Sequence, residues 1–125
     1  MRAWHDRSVA PWRLTVRSGP RVERTGFDSL GAALDAMAQR MQELAPDARR
    51  PAVEMLRRRF EPARQVAVRA EVSGPGGVRG GVDLRGDGSI EAFVGRWRRR
   101  LIDEQAGEGV YAGLRRSLGG APPKM

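Results

Sequence analysis

The residues able to do acid-base or nucleophilic chemistry are few. The one histidine, His5, stands beside Asp6, a pairing that could orient an imidazole. Nothing in the sequence supplies a third member for a hydrolytic triad, so a surface histidine is the simpler reading. Cysteine is absent, which excludes disulfides, thiolate nucleophiles and thiolate metal sites. One imidazole without a thiol gives no basis for a metal centre. Most carboxylates lie beside arginines or at helix caps; Asp83 and Asp87, on either side of Gly86, read as turn residues rather than a catalytic pair. The run Gly74-Pro75-Gly76-Gly77-Val78-Arg79-Gly80-Gly81 invites comparison with a phosphate loop, but such a loop opens a helix and carries Gly-Lys-Ser/Thr. Here a strand follows, and a hairpin turn is the better reading. No catalytic residue, metal or cofactor is implied, and the chain leans away from an enzyme.

What remains is arginine. The 125 residues carry 23 basic and 15 acidic side chains, a net charge of +8, and Lys124 is the one lysine. The excess is uneven: residues 1–45 carry +2 (7 basic, 5 acidic), 46–69 carry +4 (7 and 3) and 70–125 carry +2 (9 and 7). A balance of this kind favours encounters with polyanions. The clusters are Arg57-Arg58-Arg59, then Arg96 with Arg98-Arg99-Arg100, then Arg115-Arg116. Three consecutive helical residues fan through about 200°, so a triplet on a helix is equally a solvated surface or one edge of a basic ridge.

Two segments must position these residues. Residues 12–44 and 66–105 both read as strand, turn, strand, helix, with Ser18-Gly19-Pro20 and Ser73-Gly74-Pro75 at matching turns. Leu30, Ala33, Leu34, Met37 and Met41 share the spacing i, i+3, i+4, i+7, i+11 with Ile90, Phe93, Val94, Trp97 and Leu101, the spacing of one helix face. Alternation places Trp12, Leu14 and Val16, and Val66, Val68, Ala70 and Val72, on buried strand faces; Val22 is the clearest inward residue of the second strand. Asp28 or Ser29 can cap the first helix, which the pattern ends near Leu44, ahead of Pro46. A linker helix is expected over 47–60, with Pro51 in its first turn. Asp87-Gly88-Ser89 is read as the cap of an arginine-rich second helix. A short helix follows over 110–118, with a disordered tail over 119–125.

The expectation is one domain with an α+β two-layer sandwich: a four-stranded antiparallel sheet, helices on one face, a strand-strand-helix pseudo-repeat and a linker helix between copies. The open sheet face would then display Arg13, Arg17, Arg21, Arg69, Arg79 and Arg85 against Glu23, Glu71 and Asp83, with no aromatic for base stacking.

Two functions fit. The first is a non-enzymatic module binding RNA or DNA through phosphates, using Arg57, Arg58, Arg59, Arg96, Arg98, Arg99, Arg100, Arg69, Arg79 and Arg85. The second is a homodimeric or adaptor protein with solvated arginines and an interface at Tyr111, Leu114 and Leu118. A ligand-binding or enzymatic pocket between sheet and helices is a weaker third. No apolar run approaches the length of a membrane span and none follows the basic N-terminus, so no membrane partner and a cytoplasmic location are expected.

Overall fold

Trp12-Arg13-Leu14-Thr15-Val16-Arg17-Ser18 alternates apolar with polar residues, which gives an extended chain one face for a core and one for solvent. In the computed structural model, which describes residues 10–57 (backbone alone over 47–57), 66–95, 99–103, 105 and 107–119, this segment is strand β1 (Trp12–Ser18). A two-residue turn at Gly19 and Pro20 returns it as β2 (Arg21–Phe27). With β3 (Val66–Ser73), β4 (Arg79–Arg85), β5 (Ile90–Val94) and β6 (Arg100–Leu101) they form a six-stranded sheet in the order β2-β1-β3-β4-β5-β6. Every pairing is antiparallel. Helices α1 (Leu30–Arg57) and α2 (Val110–Gly119) pack against one face.

The α+β class is as expected; the four-stranded sheet and the pseudo-repeat are not. The segment taken as the second repeat's helix is β5, followed by a connection to β6. Asp87-Gly88 is a hairpin signal, and the turn is closed by Gly88 N–H donating to the Arg85 carbonyl at 2.9 Å and Arg85 N–H to the Ser89 carbonyl at 2.8 Å. The Asp87 carboxylate accepts from the Ser89 amide at 2.9 Å, so its side chain fixes a turn and caps no helix. Ile90, Ala92 and Val94 then alternate towards the helices, while Phe93 points the other way. Ile90 and Val94 satisfy both a helical i, i+4 and a strand i, i+4 spacing, which is how the short apolar run imitates a helix.

The linker helix is likewise corrected, because α1 is continuous through Pro46 and Pro51. A proline inside a helix deletes one donor and crowds the preceding turn, at about 3 kcal/mol. It need not end the helix when alanine, leucine, methionine, glutamate and arginine surround it, as here. The start of α1 matches expectation: Ser29 Oγ accepts from the Ala32 amide at 3.1 Å as N-cap.

The core lies between the layers. Leu14 and Val16, Val68, Ala70 and Val72, Val82 and Leu84, and Ala92 face Ala33, Leu34, Met37 and Met41 of α1 and Leu114 and Leu118 of α2. Each large aliphatic side chain fully withdrawn from water contributes about 1.5–3 kcal/mol. α2 docks closely because β4 carries Gly80: a Cβ there would meet Leu118 at 3.0 Å and Leu114 at 3.1 Å.

Candidate functional site

The face of the sheet opposite the helices collects the charge. Strand register arranges its side chains in three rows. Arg13 of β1 pairs with Gly26 and Ser73, and Ser73 with Arg79. The middle row runs Arg24, Thr15, Glu71, Gly81, Phe93 across β2, β1, β3, β4 and β5. The third runs Val22, Arg17, Arg69, Asp83, Glu91. Rows stand about 6.8 Å apart, two residues of strand, and neighbouring strands about 4.8 Å apart.

Three carboxylates on this face each have an arginine. Arg69 grips Asp83 through two hydrogen bonds of 2.6 and 3.0 Å, and this raises the Arg69 pKa against the opposing cost of burial. Arg85 holds Glu91 at 2.8 Å, and Arg99, just ahead of β6, donates from Nη2 to Glu71 Oε2 at 3.1 Å. The same Arg99 guanidinium lies 4.9 Å from the centre of the Phe93 ring and that of Arg69 lies 5.7 Å from it, so Phe93 is 1% exposed on a polar face. The ring fits there because Gly81 stands opposite it without a side chain. Gly81 is in turn required by β3, since a Cβ there would overlap the Ala70 carbonyl oxygen.

Four arginines are left over. Arg13, Arg17, Arg24 and Arg79 are exposed, and none has an ion pair or side-chain hydrogen bond among the described residues. With Thr15, Ser73 and Glu71 they line a polar depression of about 210 Å³. Four unneutralised guanidiniums around one hollow make a surface of strongly positive potential that can accept several anionic oxygens. No family model, curated protein or solved structure matches this chain.

The sequence-predicted residues divide accordingly. Arg79 belongs to the hollow, whereas Arg69 and Arg85 are engaged by carboxylates. Arg99 and Arg100 lie at the sheet edge instead of on a helix; Arg99 holds Glu71 and Arg100 is exposed. The Arg57 side chain, Arg58, Arg59, Arg96 and Arg98 lie outside the described residues. Leu114 and Leu118 are buried in the chain's own core, and Tyr111 packs against it.

Arg24 was not among the residues expected on this face, and Arg21, Val22 and Glu23 were assigned to the wrong sides. Glu23 lies across from Val16 on the helix side, where Arg40 of α1 donates to it at 2.9 and 2.6 Å and lowers its pKa. Val22, 38% exposed, lies across from Arg17 on the open side. The signal was available: a two-residue hairpin fixes register, so the inward set Leu14 and Val16 puts Arg24 outward whatever the hydropathy of β2 suggests.

A second concavity of about 780 Å³ lies between α1, the β4–β5 turn and α2, lined by Met41, Ala45, Leu84, Ile90, Gln42 and Tyr111 among others. Burial pushes the Tyr111 phenol upward, and no carboxylate or imidazole is among the lining residues. It offers an apolar wall but no acid-base pair.

Proposed function

We propose that the protein binds nucleic acid through its phosphate backbone, along the open face of the sheet. The observation that supports this reading is the surplus of Arg13, Arg17, Arg24 and Arg79 around one polar hollow after Glu71, Asp83 and Glu91, the carboxylates on that face among the described residues, have each engaged an arginine. Cations spread over three strand-rows and three strands suit an extended polyanion better than a single small anion. Phe93, covered by two guanidiniums, is no platform for an unstacked base, which leaves phosphate contacts as the main source of affinity. The alternative of a homodimer loses part of its sequence basis, since Leu114 and Leu118 are used within the chain.

Fluorescence anisotropy with a mixed-sequence single-stranded oligonucleotide at two salt concentrations tests this. Four neutralised phosphates give a log-log salt slope of about −2.8, or a loss of about 50-fold between 50 and 200 mM salt. Replacing all four arginines by glutamine should flatten the slope without unfolding the chain, because none of them has a partner to lose. Lack of binding at about 50 mM salt, or an unchanged slope in the variant, refutes the reading.

A further inference from the structure

The depression contains one group that a pure phosphate cradle would not keep. Glu71 occupies the centre of the middle row, between Thr15 and Gly81, and lines the hollow together with the four unpaired arginines. Its side chain is 17% exposed. Oε2 accepts from Arg99, while Oε1 has no donor among the described residues. A ligand that fills the hollow displaces water from this oxygen, so one that brings a donor of its own avoids leaving it unpaired and is favoured. A phosphate oxygen cannot serve, because it carries negative charge and no proton. A hydroxyl can.

Cations for phosphates and an acceptor for a hydroxyl then share one hollow. Arg13 and Arg79 lie one row to one side of Glu71, and Arg17 lies one row to the other, about 6.8 Å away in each direction along the strands. Thr15 and Ser73 add hydroxyls that can donate or accept beside it. A strand of nucleic acid lying across the rows would set its phosphates on the arginines and its sugar at Glu71. We infer that this face selects RNA over DNA, with Glu71 Oε1 accepting a hydrogen bond from a ribose 2′-hydroxyl. The inference rests on the phosphate-binding reading above and names the class of nucleic acid that this surface takes.

The test compares oligouridylate, 2′-O-methyl oligouridylate and oligodeoxyuridylate of equal length by anisotropy at about 50 mM salt. The three share base and backbone charge and differ at the 2′ position alone. RNA should bind about tenfold more tightly than DNA for one hydroxyl donated to a charged acceptor, and the 2′-O-methyl strand should behave as DNA. Glu71→Met should bring RNA and DNA to similar affinity, with DNA binding strengthened by removal of a negative charge. Equal binding of RNA and DNA by the native protein overturns the inference and leaves phosphate binding standing. Native-like binding of the 2′-O-methyl strand, or an unchanged preference in Glu71→Met, overturns the role of the hydroxyl or of Glu71. Binding of none of the three strands overturns both readings together.

Discussion

Phe93 is the position at which structure and energetics depart most from what its neighbours suggest, and its truncation gives a sharp test. The ring lies on the face that should be solvated, yet it is 1% exposed, seated opposite Gly81 and capped by Arg69 and Arg99. Removing a fully buried phenyl group costs about 3–5 kcal/mol when its site does not collapse. The site cannot collapse readily, because Gly81 has no side chain to move into the space. Loss of two partly exposed guanidinium-on-ring contacts adds about 0.5–1 kcal/mol each. Phe93→Ala should therefore destabilise by about 4–7 kcal/mol, a large part of the about 5–15 kcal/mol available to a small domain. At a urea m-value of about 2 kcal/mol/M, the midpoint should fall by about 2–3.5 M. A double-mutant cycle with Arg99→Ala should return a coupling of about 0.5–1 kcal/mol. A loss under about 1 kcal/mol with no coupling would mean that the ring is solvated and open to a stacked base.

Other perturbations read other parts of the fold. Gly81→Ala forces β3 and β4 apart at the Ala70 carbonyl and should cost about 2–3 kcal/mol, seen as a lower unfolding midpoint; a neutral result would refute the close approach. Ser29→Ala removes the N-cap of α1 and should lose about 1 kcal/mol in the same titration. Glu23, through Arg40, and Glu108, through Arg116, are held below their ordinary pKa of 4.5. Their folded pKa values are depressed, so the stabilisation is present above that ordinary value and is lost as pH falls through the lowered ones. Thermal midpoints should therefore drop in acid below about pH 4.5, and Glu23→Gln should make the drop shallower.

How much of this was legible in the sequence depended on whether a pattern was local. The alternation of β1, that of β3 from Val68 onward, the apolar face of α1 and its Ser29 cap follow from periods of two and of 3.6 and from one side-chain oxygen; Val66, which the alternation places inward, is exposed at an irregularity in the β3–β4 register. The segment after Asp87-Gly88 was misread because five residues are too few to separate the two periods, and the choice fell to the turn. Pro46 misled in the opposite direction, since a single missing donor does not fix where a 28-residue helix stops.

The sequence by itself determined the α+β class, the positive charge, the absence of thiol chemistry and the residues that form most of the core, because these depend on composition and on spacing along the chain. Only the tertiary structure decided which arginines are free. That question is one of cross-strand partners: Asp83 is 14 residues from Arg69 and Glu71 is 28 from Arg99. Sheet order and hairpin register bring those charges together and cancel them. The same register leaves Arg13, Arg17, Arg24 and Arg79 around Glu71, a juxtaposition of four strands that no local pattern encodes.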